Sequence, residues 1–397
     1  MKKIVSLLAA LSLIFMISLP AYAQTTEITT DDVQQDIDDI ISYIHDGSSF
    51  SLDDAVTLYY LTMTAPDAIP NDMMADFFNV VEQNLAENDG KLIPTNGENM
   101  ATYAAVINLY YIYSDDTTPD DINGFDLIDT FMNYDTSTIT NPYDYTVILP
   151  VASNLDEDFC YTLTDKYIDD YYTPGQGVDY WGYSCDNVAN FITAISNTGY
   201  TEKYADVLTD AMEVLDTYKV DGGYCFNPEY GTDANVDSTA MALMAKSSYY
   251  LNSDGDISDE ELQELLEIYD DIMAFKGDTT GSYNYDGTES AYSSFDVLKG
   301  LNEFYYAVMA NEISSEFNDL DDEENYENAS DDVDEEIEET ADDTAENAKQ
   351  VREPVTAVNS TPKSYFPKTG DLSSEIVLAI ASVAGLGLIV SKKKKDD

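Results

Sequence analysis

The chain has 397 residues and a formal net charge of −61, and 44% of its residues are hydrophobic. That hydrophobic share is enough for a packed core, so the chain is not simply a disordered acidic protein. A surface this acidic repels nucleic acid and anionic lipid, which excludes both as lasting partners. The single histidine, His45, leaves no plausible Ser-His-Asp or Cys-His arrangement and no multi-histidine zinc site.

The chain opens with the pattern of a secretory signal peptide at residues 1–23. A positively charged start precedes a short apolar run at 4–19, and Ala21 and Ala23 form a small-x-small cleavage site before Gln24. The run is short for a membrane anchor. We therefore expect export and cleavage after Ala23.

Two kinds of helix alternate between about residues 30 and 310. The first kind is amphipathic, with apolar residues on one face at a spacing of 3.6. The second kind is rich in small residues and apolar on nearly every side, which indicates burial on every side. Amphipathic patterns fall at 33–44, 74–85, 122–132, 159–171, 204–215 and 262–273, and the apolar ones begin near 55, 101, 146, 189, 239 and 293.

The apolar helices recur at intervals of roughly 45–50 residues, as in helical-hairpin repeats. An outer ring of one-faced helices around an inner ring of buried helices satisfies both patterns. We predict an all-α fold over 30–315, an α/α toroid of about six helical hairpins. An open solenoid is the alternative, and the lack of a polar capping helix at either end disfavours it.

Turns that combine glycine with aromatic residues precede the later inner helices, at 179–183, 222–226 and 281–285. The second of these turns, Gly222-Gly223-Tyr224, leads into 235–243, which reads Asn-Val-Asp-Ser-Thr-Ala-Met-Ala-Leu. Here the chain resembles the terpenoid cyclase and protein prenyltransferase superfamily, over about 175–310 more than over 30–150. The resemblance implies an α/α toroid.

Asp237 matches the proton-donating middle aspartate of the Asp-x-Asp-Asp-Thr-Ala motif of that superfamily's cyclases. Asn235 and Ser238 replace its flanking acids, and a lone carboxyl near its ordinary pKa protonates an alkene poorly. We therefore expect Asp237 or Ser238 to cap the inner helix instead. The superfamily's zinc site of Asp, Cys and His is not expected, because His45 lies far from any cysteine.

Tyrosine is unusually frequent, with 32 residues against one tryptophan. Many of these rings are expected to pack with their hydroxyl groups reaching water. The functional alternative is an aromatic mouth where the inner helices begin, suited to a sugar, a peptide or a flat ligand. The candidate ligand-binding residues are Tyr180, Trp181, Tyr183, Tyr224, Phe226 and Asp237.

Three cysteines are too few for a disulfide scaffold. Cys185 and Cys225 fall at similar places in adjacent repeats, which leaves both a disulfide and buried thiols open.

Residues 254–261 match the second half of an EF-hand loop, whereas Ser258 and Glu261 form a capping box. We favour the box and expect no cofactor, with weak calcium binding as the alternative through Asn252, Asp254, Asp256 and Glu261.

Residues 316–364 are dense in Asp and Glu and then contain Pro and Thr, which predicts a disordered acidic stalk. Residues 365–397 combine Phe366-Pro367-Lys368-Thr369-Gly370, an apolar run and a lysine tail. This segment resembles the cell-wall sorting signal, usually Leu-Pro-x-Thr-Gly. The resemblance implies that a sortase cleaves after Thr369 and joins the chain to peptidoglycan on a Gram-positive cell surface.

In that pathway the chain meets the membrane only transiently, because the apolar helix and the lysines hold it there before sorting. Phe366 in place of leucine leaves the class of sortase open. For the toroid we expect a binding or adhesion module, without catalytic residues, for an unknown extracellular glycan or protein. The alternative is a carbohydrate-active hydrolase or lyase that uses paired carboxylates in the toroid mouth.

Overall fold

The computed structural model describes residues 28–114, 117–253 and 257–327, with side chains to residue 312. The predicted signal peptide, the sorting signal and the stalk beyond 327 lie outside these ranges. The described residues form twelve α-helices, four short 3-10 turns and three two-stranded sheets. The helices are α1 Thr30–Ile44, α2 Ala55–Thr62, α3 Asn71–Glu87, α4 Met100–Tyr113, α5 Leu127–Met132, α6 Tyr145–Leu155, α7 Glu157–Tyr171, α8 Cys185–Ser196, α9 Ala205–Asp216, α10 Val236–Ser253, α11 Asp259–Met273 and α12 Ala291–Glu327.

The fold is an all-α toroid, as the alternation of helix types predicts. The even-numbered helices form an inner ring in which each contacts the next, and α12 closes the ring by contacting α2 and α1. The odd-numbered helices lie outside. In α1 only one face is buried, with Val33, Ile37 and Ile40 fully covered, whereas every residue of α4 from Met100 to Tyr110 is buried. The two patterns therefore separate outer from inner helices.

Ring closure joins residues that are more than 200 positions apart in the chain. Asp36 on α1 accepts hydrogen bonds from the Tyr269 hydroxyl at 2.6 Å and from Lys276 Nζ at 2.7 Å. Inside the ring, the Asn302 amide donates to the Tyr60 carbonyl at 2.9 Å, and Thr64 donates to Asn302 Oδ1 at 2.6 Å. The buried polar groups among them, those of Asn302 and Tyr60, are satisfied only when the first and last hairpins meet, so they specify the closed ring.

Three β-hairpins connect the last three outer helices to their inner partners: β1 Tyr172–Thr173 with β2 Gly177–Val178, β3 Lys219–Val220 with β4 Gly223–Tyr224, and β5 Tyr283–Tyr285 with β6 Thr288–Ser290. The glycine-aromatic turns thus lie in or beside short antiparallel ribbons, which the helical patterns did not predict. Gly281, with φ +77°, packs so tightly on α1 that a Cβ there would meet the Asp39 carbonyl oxygen.

Two further predictions are resolved in part. The helix α12 continues to Glu327, past residue 316 where the stalk is predicted to begin; extending a helix costs less than starting one, and α12 is already held by the ring. All three cysteines are buried free thiols, and the Cys185 N–H donates to the Phe226 carbonyl at 2.9 Å.

In the part of the chain that the structure describes, no helix is both long and apolar enough to cross a bilayer.

Candidate functional site

The last three inner helices begin in the same way at one end of the toroid. Ser184, Asn235 and Ser290 each accept a hydrogen bond from the N–H group three residues later, which is the contact of a helix N-cap. The second position of the helix is Asp186 in α8 and Asp237 in α10. These two side chains therefore occupy equivalent places on adjacent inner helices, near enough for the charge of Asp237 to act on Asp186.

A third carboxyl group joins them from α12. Asp296, 4% exposed, forms an ion pair with Lys299 one turn later in the same helix. The Ser238 hydroxyl on α10 donates to Asp186 Oδ1 on α8 at 2.7 Å, which ties two of the helices together. The site thus contains three carboxyl groups and one ammonium group. We call Asp186, Asp237, Asp296 and Lys299 the carboxyl cluster.

The environment of Asp186 keeps its carboxyl group protonated to an unusually high pH. Burial, with help from the negative charges of Asp296 and Asp237, raises the pKa of Asp186 to about 7, against the lowering effects of the Ser238 hydrogen bond and Lys299. Burial lowers the pKa of Lys299, but the charge and hydrogen bond of Asp296, together with Tyr60 and Tyr292, outweigh this and hold the pKa above its ordinary value. Lys299 therefore stays charged and Asp186 is about half protonated near neutral pH.

Asp237 is the second carboxyl group with a shifted pKa. Burial raises the pKa of Asp237 to about 6, with the Asp296 charge adding to the rise and the Ser293 hydroxyl and Lys299 opposing it. Its Oδ1 atom is buried and accepts no hydrogen bond from any residue that the structure describes. The predicted capping role is wrong for Asp237, because the Asn235 side chain caps α10. The Asp237 carboxyl group is therefore not used to cap α10, and one of its oxygens is left without a partner among the described residues.

Aromatic side chains surround the carboxyl cluster. Tyr143 donates to Asn187 and packs edge-on against Tyr180 at 5.8 Å, and Tyr180 lies beside Trp181, whose side chain is 94% exposed. Tyr292, which follows the N-cap of α12, has its pKa raised chiefly by the Asp296 charge, so this exposed ring lies near the carboxyl cluster. Tyr143 and Tyr292 thus lie near the carboxyl cluster, and Tyr180 and Trp181 extend the aromatic surface from Tyr143; we call these four rings the aromatic rim.

The residues predicted for the mouth divide into two groups. Trp181 and Phe226 are exposed, and Tyr180 and Tyr183 are half-buried. Tyr224 is fully buried, as is Gly223 beside it in β4, so its ring packs in the core and does not line the mouth as predicted. A cavity of about 280 Å³ opens nearby, between the β5–β6 hairpin and the start of α10, and Asn235 and Tyr285 are among its lining residues.

The sequence reasoning missed Asp186, Asp296 and Lys299. A signal for Asp186 was present, since Ser184-Cys185-Asp186 repeats the cap-x-Asp pattern of Asn235-Val236-Asp237. Aligning the inner helices on their caps places both aspartates at the same position. Asp296 follows one turn after the corresponding position of α12, and only the structure shows that its side chain turns inward.

The predicted capping box at α11 is present. The Glu261 carboxylate accepts from the Ser258 N–H at 2.8 Å and from its hydroxyl at 2.7 Å. The Asn252 amide donates to the Ser248 carbonyl at 2.8 Å. Asp254 and Asp256, the other two proposed calcium ligands, lie outside the described residues. Among the residues that are described, no group of three or more His, Cys, Asp or Glu side chains is placed to hold a metal ion.

A further acidic side chain is buried deep in the ring. Glu303 on α12 is 5% exposed and accepts a hydrogen bond from the Asn197 amide at 2.8 Å. Burial raises its pKa to about 7, against the hydrogen bonds from Asn197 and Ser248. Between the ordinary glutamate pKa and about 7, the folded protein holds a proton here that the unfolded chain has released. The free energy of unfolding therefore falls as the pH rises through this interval.

Glu303→Gln is expected to stabilise the protein at pH 8 by about 1–3 kcal/mol and to have little effect at pH 4.5. The amide has the shape of the carboxylate and can still accept from Asn197, but it carries no buried charge. Chemical denaturation at both pH values measures the difference. Glu213→Gln, at an exposed position on α9, is the matched control and should not show this pH dependence. Equal effects of Glu303→Gln at the two pH values would contradict the assignment.

Comparison with known proteins gives little beyond the fold. No protein-family model matches the chain, and no curated protein matches it. A solved structure of a protein described as a polysaccharide lyase is similar at 9% sequence identity with a TM-score of 0.49, over 71% of this chain and 98% of that chain. At that TM-score the likeness carries no inference about activity.

Proposed function

We propose that the toroid is a carbohydrate-active enzyme that hydrolyses a glycosidic bond by acid–base catalysis in its mouth. The observation that carries the proposal is the convergence of Asp186 and Asp237, from equivalent positions on adjacent inner helices, inside an aromatic rim. Two carboxyl groups with different pKa values are what glycoside hydrolysis requires. This favours the enzyme over the binding module that lacked catalytic groups.

The pKa values assign the roles. Asp186, with a pKa of about 7, is the general acid and gives its proton to the glycosidic oxygen as the bond from that oxygen to C1 breaks. Asp237, with a pKa of about 6, is ionised above that pH and takes a proton from the water that attacks C1. One water is consumed for each bond that is broken. Proton exchange with solvent then restores both groups.

The ion pair has a different role in this scheme. Asp296 and Lys299 do not exchange protons with the substrate; Asp296 raises the pKa of both partners, and Lys299 limits that rise. Through these effects on the two pKa values, the pair sets the pH range of the reaction. Both residues lie on α12, whose packing against α10 brings them near Asp237.

The test is an assay of the secreted chain against a panel of polysaccharides, with two readouts. New reducing ends without ultraviolet absorbance indicate hydrolysis, and ultraviolet absorbance of an unsaturated product indicates elimination. We expect reducing ends alone. Elimination would overturn the assigned roles, and tight binding of a glycan without cleavage would return the toroid to the class of binding modules.

We also propose that the enzyme is attached to the peptidoglycan of a Gram-positive cell. The support is in the sequence alone: a signal peptide with Ala21 and Ala23, and the pentapeptide Phe366–Gly370 followed by an apolar run and a lysine tail. The sortase and peptidoglycan are then its partners in assembly. Attachment places the mouth where extracellular polysaccharide is found.

Thr369→Ala is expected to abolish covalent attachment to the wall, because the bond that the sortase cleaves follows this residue. The protein should then appear in the membrane fraction or the medium. Extraction of purified wall with hot detergent, followed by immunodetection before and after muramidase digestion, measures the attached fraction. Thr361→Ala, in the stalk, is the matched control and should stay attached. Undiminished attachment of Thr369→Ala would contradict the sorting proposal.

A further inference from the structure

The segment that carries Trp181 is held rigidly in an unfavourable conformation. Trp181 has φ +58°, a left-handed backbone that is a genuine outlier for a large non-glycine residue. The Asn187 side chain fixes the segment by donating to the Tyr180 carbonyl at 3.1 Å and to the Gly182 carbonyl at 2.8 Å. Gly182 N–H also bonds to the Asp179 carboxylate at 3.2 Å.

This strain places the chain's one tryptophan in water. The Trp181 side chain is 94% exposed, so the indole ring gains almost nothing from burial in the isolated protein. A left-handed backbone and an exposed large apolar ring each cost free energy. A ligand that covers the ring recovers the second of these costs, and the fixed backbone ensures that little ordering is required on binding.

The charge of the mouth limits what the ligand can be. The basic side chain that lowers the pKa of both Asp186 and Asp237 is Lys299, and it is already paired with Asp296. The sequence as a whole has 17 Lys and Arg residues against 78 Asp and Glu. A uronic acid polymer would bring further carboxylates to a site that has no free cation for them, at a cost in like-charge repulsion.

We infer that Trp181 is a sugar-stacking platform beside the carboxyl cluster, and that the ligand is an uncharged polysaccharide chain. The flat face of a pyranose ring stacks on the indole while its hydroxyl groups remain in water, and no charge enters the acidic mouth. A polysaccharide that runs from Trp181 past Tyr180 and Tyr143 has one end directed toward Asp186. Tyr143 lies near that residue, because the charge of the Asp186 carboxyl group raises the Tyr143 pKa. This inference rests on the proposed function and names its class of substrate.

The single tryptophan makes the test direct. Its fluorescence reports on this platform alone, and the full secreted chain carrying Asp186→Asn is used so that ligand is not consumed. Neutral oligosaccharides built from glucose, xylose or N-acetylglucosamine are titrated, with oligogalacturonate and oligolysine as charged probes. We expect a blue shift, and protection from acrylamide quenching, with at least one neutral series and none with oligogalacturonate.

Variants at the platform separate binding from folding. Trp181→Ala is expected to weaken binding about tenfold or more by calorimetry, and Trp181→Phe to weaken it less, because a ring is retained. Trp181→Gly should lose the binding without lowering the melting temperature, since glycine accepts the left-handed backbone. If Trp181 had only a structural role, its substitution would instead lower the stability of the protein.

The outcomes are distinguishable from those of the proposed function. Cleavage of a glycan with no change in fluorescence would overturn the platform and leave the hydrolase. A shift with neutral sugars but no cleavage would keep the platform and overturn the hydrolase. A response confined to oligogalacturonate or to oligolysine would overturn the inferred class of ligand, and so would silence with every neutral series at millimolar concentration.

Discussion

Asp186→Asn is expected to reduce glycan cleavage by a factor of about 10²–10⁴, the usual contribution of a general acid. Asparagine has the same shape, and its Oδ1 atom can still accept the hydrogen bond from Ser238, so the fold and the ligand affinity should be kept. What is lost is the proton that Asp186 holds to about pH 7. Initial rates of the wild type and of Asp186→Asn measure the loss of catalysis, and their melting curves show whether the fold is kept.

The pH dependence gives the same assignment a second readout. With a base of pKa about 6 and an acid of pKa about 7, cleavage by the wild type should follow a bell with its maximum between these values. The alkaline limb of the bell, where activity falls as the pH rises, arises because Asp186 must be protonated. In Asp186→Asn that limb should vanish from the residual activity, whereas the limb that belongs to Asp237 should remain.

A matched control uses the same helix position on the outside of the toroid. Asp206 is the second residue of α9, as Asp186 is of α8, and its side chain is exposed. Asp206→Asn removes the same charge from the first turn of a helix, so it reproduces any effect on the helix dipole. Its rate should equal that of the wild type. If the two variants lose activity to the same degree, Asp186 is not the acid.

Much of the architecture could be predicted from residue periodicity. The difference between the one-faced pattern at Val33, Ile37 and Ile40 and the all-round apolar pattern from Met100 to Tyr110 is enough to assign outer and inner rings. Six hairpins of two helix types then imply closure. The β-hairpins were not predictable in this way, because strands of two or three residues are too short to show alternation.

The site was only half predictable, for a physical reason. Trp181 and Phe226 were named as mouth candidates because the two turns that carry them precede inner helices, and both are exposed. Asp237 was singled out by its likeness to a cyclase motif, with a capping role that Asn235 has instead. The shifted pKa values were not predictable, because they depend on which charges from α8, α10 and α12 meet across the ring. Tyr224 failed because burial in a two-residue strand is decided by its neighbours in space.

Gly300→Ala is expected to destabilise the protein by about 1–3 kcal/mol, in the range for overpacked cores. In an ordinary helix interior the same change stabilises by about 1 kcal/mol. Here α12 passes so close to α10 that a Cβ on Gly300 would lie 2.6 Å from the Ala240 carbonyl oxygen. Because that atom belongs to the backbone of a buried helix, no side-chain rotation relieves the contact, and the two helices must move apart.

The displacement should also reach the chemistry, since Lys299 directly precedes Gly300 and Asp237 lies one turn before Ala240. We therefore expect cleavage to fall in the folded variant, with the acid and base limbs of its pH profile moved as Lys299 and Asp296 shift relative to Asp237. Urea denaturation gives the stability, and rates are measured well below the transition. Ala75→Gly, at an exposed position inside α3, is the reference for helix propensity and should cost about 1 kcal/mol without a change in rate. A Gly300→Ala protein that is as stable as the wild type would mean that α10 and α12 do not pack at this distance, and the convergence of the carboxyl cluster would lose its structural basis.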